Sequence, residues 1–183
     1  MFESLIARHC SPALAGIKPG NLISVSKKQF PDLTDEIKRL NNQLNKKDIY
    51  LKILCECKNR VLLFVYRSRQ LGKYLLQNDI HALLVSYGYG ECKSVKQYIL
   101  KLKSRLKMSE FPHEIGAFLG YPAHDIYGFI NHKDSGCLLV GEWRVYEDAE
   151  GAVHLFDKYK CCRNAVLRRI DQGKTLVQIF CAA

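Results

Sequence analysis

Hydrophobic positions recur along this chain in distinct rhythms, and each predicts its own kind of element. Helical spacing appears at Leu33, Ile37, Leu40 and Leu44, with Asp32 placed as N-cap, Asp35 and Glu36 in the first turn and Lys46-Lys47 in the last. The same spacing at Val95, Tyr98, Ile99, Leu102 and Leu106 predicts a stronger helix over 93–108, where Ser94 and Gln97 resemble a capping box. A short helix over 2–9 ends at His9-Cys10-Ser11-Pro12, and a loop punctuated by Gly16, Pro19 and Gly20 follows it. Further helices are expected near 70–77, 79–87, 113–119 and 123–131, and a long one from 148 to 171.

Alternation with a period of two marks 49–57, where Ile49, Leu51, Ile53, Cys55 and Cys57 share one face. After Lys58-Asn59-Arg60 comes an apolar run over 61–67. The pair reads as a β-hairpin whose second strand is covered on both faces. Strands are also expected near 137–146 and 175–181. These elements predict one α+β domain over 1–183: a small, mainly antiparallel sheet (hairpin 49–67 plus the strands near 137–146 and 175–181) covered by helices.

Composition narrows the function classes. Hydrophobic residues make up 48% and charged ones 25%, which excludes wholesale disorder and collagen-like or low-complexity chains. The longest apolar run, 61–66, is far short of the ~20 residues a membrane helix needs. Residues 1–8 have no basic start followed by an apolar stretch, so a cytoplasmic protein without membrane association is expected. The eight cysteines should then be reduced thiols, and no CxxC suggests a zinc ribbon or thioredoxin motif. Cys55 and Cys57 read as small hydrophobes on a buried strand face.

The formal net charge is +10, and the basic excess lies in residues 1–110. Lys93, Lys96, Lys101, Lys103 and Lys107, with Arg105 at the margin, make one face of the helix at 93–108 basic. Such a face suits nucleic acid or an acidic protein, although a solvated surface is the commoner meaning of a basic helix face.

Two segments carry chemistry that packing alone does not require. His9-Cys10-Ser11-Pro12, with Lys18 and Asn21 beyond it, gathers polar and nucleophilic groups around a helix end. A neighbouring His or Lys lowers a thiol's pKa, so Cys10 is a candidate thiolate nucleophile or metal ligand, unless it simply packs inward. The second segment runs Phe111-Pro-His-Glu-Ile-Gly-Ala-Phe-Leu-Gly-Tyr-Pro122. Here His113 is a candidate general base or second ligand and Glu114 a partner in proton transfer. Adjacent residues diverge on a helix, so His113 and Glu114 are not expected to hold one ion together. The site predicted from both segments has Cys10, His113 and Glu114 as its catalytic set. His9, Ser11, Lys18, Asn21 and Arg67 would position an anionic ligand, and Tyr121 would wall the pocket.

Gly116, Gly120 and Ile126 also repeat the spacing of a helix-turn-helix, but the would-be recognition helix offers no Arg or Lys before Lys133. A nucleic-acid-binding or acidic-partner-binding module using 113–131 and the basic helix is therefore the alternative to a Cys/His-centred ligand, metal or redox site. A third cluster, Lys158-Tyr-Lys-Cys161-Cys162-Arg163, makes Cys161 the more exposed thiol of its pair. The residue pattern names no cofactor and leaves open whether the protein is an enzyme.

The motifs His9-Cys-Ser-Pro-x-Leu-x-Gly-x-Lys18-x-x-Asn21-Leu and Phe111-Pro-His-Glu-Ile-Gly-x-Phe-Leu-Gly-Tyr-Pro…Asp125-Ile-x-Gly-Phe resemble a bacterial domain-of-unknown-function family. So do Trp143-x-Val-Tyr146 and Phe156-x-x-Tyr159-Lys-x-Cys162. The resemblance covers nearly the whole chain. What it implies is redox or metal handling; the anionic small ligand and the acidic redox partner are expectations from the residues themselves.

Overall fold

The computed structural model describes residues 1–108, 110–133 and 135–181 of the chain. Its organising element is a three-stranded antiparallel sheet in the order β1-β3-β2, made of β1 (Gly20–Ser26), β2 (Ile49–Glu56) and β3 (Arg60–Arg67). The expected hairpin is β2–β3, and β3 is the central strand. Its alternate residues Val61, Leu63 and Val65 face one core and Phe64 and Tyr66 the other, so an apolar strand separates two packed layers.

Against the first face lie α1 (Phe2–Leu14), α2 (Leu33–Leu44), the end of α8 (Ala149–Asp171) and α9 (Leu176–Cys181). The second face is covered by α3 (Ser68–Leu75), α4 (Asn78–Ser86), α5 (Val95–Arg105), α6 (Ile115–Phe118) and α7 (Ala123–His132). A smaller cluster joins the hairpin β4 (Leu139–Val140) and β5 (Arg144–Val145) to the first half of α8 through Trp143, Val145, Ala152 and Tyr159. The fold is α+β. Among the described residues no helix is long and apolar enough to cross a membrane.

Several sequence expectations change, each for a local reason. The strand expected at 175–181 is helix α9: Thr175 Oγ1 accepts from the Gln178 backbone N–H at 3.2 Å, the start of a helical turn, and Leu176 is buried against the first core. The sheet's third strand is instead β1, where Gly20 hid a strand behind a turn signal. A Cβ on Gly20 would stand 2.4 Å from the Phe64 ring and 2.8 Å from the Phe118 carbonyl, so the strand begins where only glycine fits. The strand expected over 137–146 is the short hairpin β4–β5.

In β2 a bulge between Ile53 and Cys55 turns Leu54 into the second core. The shared face therefore stops at Ile53: Cys55 is half-buried, and Cys57 is exposed, its thiol donating to the Arg60 carbonyl at 3.3 Å.

The helix expected to stop near residue 9 continues to Leu14. Pro12 removes the N–H that would bond the Arg8 carbonyl, while Asn21 Oδ1 accepts from the Ala13 N–H at 3.2 Å. Past the helix end, Gly16 at φ +78 lets the Ile17 and Lys18 N–H groups turn back to the Pro12 carbonyl (3.0 and 3.2 Å). That turn fixes the backbone of Lys18.

Candidate functional site

Lys18 is 3% exposed, and its ammonium makes no hydrogen bond to any described residue. The nearest carboxylate oxygen is Glu142 Oε2 at 4.0 Å. The ammonium lies over the rings of Tyr121 and Tyr159, 5.5 and 5.3 Å from their centroids. Glu142 is already engaged, since its Oε1 accepts from Arg163 Nη2. Two cations thus share one carboxylate. Burial pushes the Lys18 pKa down to about 8, Glu142 opposes that shift, and the Arg163 charge adds to it.

Lys18 forms a wall of a cavity of about 530 Å³, bounded by α1, β1, the α6–α7 turn, the β4–β5 hairpin and α8. His9 and Arg8 stand at its exposed α1 side, Asn21 projects from β1, and Asn164 joins Arg163 on α8. The Asn21 side-chain NH₂ finds no acceptor among the described residues. Tyr121 walls the cavity, its hydroxyl donating to the Glu142 carbonyl at 3.3 Å.

Tyr121, Leu22 and Leu119 also border a second, adjoining cavity of about 300 Å³. That ring stacks on Trp143 at 4.9 Å, and Trp143 is held in turn by Asp125. Gly116 is necessary here, since a Cβ would meet Ile126 at 2.9 Å and Tyr121 at 3.1 Å.

Of the predicted site residues, the structure brings together His9, Lys18, Asn21 and Tyr121. The others lie elsewhere. Cys10 is fully buried in the first core, and burial pushes its thiol well up despite the nearby Lys18 charge. The thiolate expected of a loop cysteine is not favoured inside a helix-packed core. Ser11 is buried with its hydroxyl donating to the Ala7 carbonyl. Arg67 holds the end of α1, donating through Nε and Nη2 to the Leu14 carbonyl (2.9 and 2.6 Å) and through Nη1 to Lys47 (3.0 Å). Glu114 is fully buried and turned toward Arg105 and the Tyr89 hydroxyl, which tie it to α5 and the loop before it. His113 is exposed at the second cavity, edge-on to Phe129 at 5.3 Å. Among the described residues no group of three or more His, Cys, Asp or Glu side chains is placed to hold a metal ion.

The thiols follow the same geometry. A limiting alkylating reagent is expected to modify exposed Cys57 and Cys161 first and Cys10 only on unfolding, as peptide mass spectrometry would register. Early labelling of Cys10 would overturn its burial.

The helix-turn-helix spacing corresponds to a real contact between Gly116 and Ile126, but α6 is a single turn. One face of α7 is covered by the hairpin: Asp125 bonds Trp143 and Tyr146, and the Tyr146 ring lies where a Cβ on Gly128 would stand. On α5, Lys93, Lys96 and Lys107 lie toward solvent in the segment around the helix, while Arg105 is engaged by Glu114.

Sequence reasoning missed Glu142, Arg8 and Asn164, and placed Arg163 only in the cluster around Cys161. Glu142 precedes the chain's one tryptophan in a stretch of Gly and aromatic residues, the signal that could have drawn attention to it. Residues 6–180 match the model of one family, described as Protein of unknown function (DUF3793). No curated protein and no solved structure matches the chain.

Proposed function

From the premise that the chain belongs to this family of unknown function, we propose that it is a cytoplasmic protein that binds a small anion, a carboxylate or phosphate, in the cavity around Lys18. One observation carries the reading: the Lys18 ammonium, 3% exposed, borders the cavity and makes no hydrogen bond to any described residue, its nearest carboxylate being engaged by Arg163. A buried charge without hydrogen-bond acceptors is costly, and an anion seated between Lys18 and Arg163 would relieve that cost with charge-assisted hydrogen bonds. The Asn21 NH₂ offers a further donor, and His9 and Arg8 line the exposed side. The centre of the site is Lys18, with Cys10 as packing behind it.

Titration calorimetry against simple carboxylates and inorganic phosphate tests the reading. Binding is expected in the protein as it stands and lost in Lys18→Met. Affinity should fall at least tenfold in Arg163→Ala, where Glu142 is released to neutralise Lys18. It should also weaken as pH rises through about 8, where Lys18 gives up its proton. Undiminished binding in Lys18→Met, or no binding of any anion tried, would overturn the assignment.

A further inference from the structure

The second cavity indicates what the anion is attached to. Resting on the anion-binding reading, we propose that the ligand is an aryl anion, whose charged group meets Lys18 and Arg163 while its flat apolar body occupies the adjoining cavity along Leu22 and Leu119.

Three observations support this. First, the two cavities share the walls Leu22, Leu119 and Tyr121, so a ligand seated in one borders the other. The Tyr121 ring has the Lys18 ammonium over it and is stacked on Trp143, placing cationic and aromatic surfaces against one side chain. Second, the lining changes character across that wall. The first cavity carries Lys18, Arg163, Asn21 and Glu142, whereas the second is bounded mainly by apolar side chains, among them Phe111, Phe129, Trp143 and Ile126, with His113, Asp125 and Arg144 also on its lining. Third, two of the aromatic walls, Trp143 and Phe129, are held against neighbouring side chains. Asp125 accepts from Trp143 Nε1 at 2.7 Å, and the His113 ring stands edge-on to Phe129. Rigid aromatic side chains favour stacked or edge-to-face partners, which a planar ring supplies and a flexible acyl chain does not. At roughly 30 Å³ per water-sized group, the cavity's 300 Å³ suits a body of one or two rings.

Trp143 is the chain's one tryptophan and lines the second cavity but not the first, so a ligand body entering the second cavity is expected to move its emission most. The experiment compares inorganic phosphate, phenyl phosphate and hexyl phosphate, and in parallel acetate, benzoate and heptanoate. Each is titrated calorimetrically and by Trp143 emission. Phenyl phosphate or benzoate is expected to bind at least tenfold tighter than its parent anion and tighter than the alkyl analogue, and to change Trp143 emission where the parent anion does not. Phe111→Ala and Phe129→Ala, at an exposed and a half-buried position, should remove most of the aryl increment and leave parent-anion binding unchanged. Equal affinity across a series, or a tighter alkyl analogue, would overturn the aryl assignment while the anion site stands. If nothing in either series binds, both readings fall together.

Discussion

Lys18→Met is expected to raise the stability of the protein at neutral pH, although it removes the centre of the proposed site. In the folded chain Lys18 titrates near 8 instead of 10.5, chiefly because burial disfavours its charge. Each pKa unit corresponds to about 1.4 kcal/mol, so holding that charge costs roughly 3 kcal/mol at pH 7. Loss of the cation–π contacts with Tyr121 and Tyr159 offsets about 1 kcal/mol of the gain. The expected net effect is about 2 kcal/mol and a Tm higher by about 5 °C. The pH dependence has a definite sign. The unfolded chain keeps this proton up to about 10.5 and the folded one releases it near 8, so the penalty is full below pH 8, shrinks between 8 and 10.5 and is gone above. The two proteins should therefore converge in stability as pH rises through that window. Urea unfolding at pH 7 and at pH 9.5 measures both points, and a wild type more stable than the variant at pH 7 would refute the account.

Asp125→Ala is expected to have the opposite effect and a larger one. This carboxylate is 3% exposed and accepts from Trp143 Nε1 at 2.7 Å, from the Tyr146 N–H at 2.7 Å and from the Glu147 N–H at 3.3 Å. It ties α7 to the residues on either side of β5, of which Trp143 lines the second cavity. Alanine would leave buried donors unpaired, at a cost of about 3–4 kcal/mol and a Tm lower by about 10 °C. Asp125→Asn keeps one acceptor oxygen and should lose roughly half as much. Chemical unfolding gives the stabilities, and a red shift of Trp143 emission in Asp125→Ala would show the indole released toward water. Unchanged stability and emission would mean that the hairpin is held by its apolar contacts alone.

Much of this fold was legible because its signals are local. The stripe at Leu33, Ile37, Leu40 and Leu44 is buried, as its spacing required. Ser94 accepts from the Gln97 N–H at 3.4 Å, and Asp148 accepts from the Gly151 N–H at 3.0 Å at the start of the long helix. The apolar run at β3 is covered on both faces. The misreadings arose where a residue's environment is made by distant chain. Gly20 looks like a turn until Phe64 is packed over it, and Pro12 looks like a helix stop until Asn21 bonds the following N–H. The site shows the same division. Lys18, Asn21, His9 and Tyr121 lie in conspicuous motifs, whereas Glu142 and Arg163 acquire their role by meeting Lys18 from two other elements. Cys10 drew attention through its neighbours in sequence, but in a helix His9 points away from it, and the core behind α1 decides its chemistry.

The central position of β3 has a consequence for how the molecule comes apart. Its odd-numbered side chains complete one core and its even-numbered ones the other, and both neighbouring strands bond to its backbone. Neither layer can open at the sheet without stripping partners from the strand that the other layer also needs. The two cores are thereby made cooperative. The Leu63, Phe64 and Val65 amides sit where both sets of ladder bonds and both apolar layers converge, so their hydrogens exchange with solvent by way of global opening and not by fraying of either half.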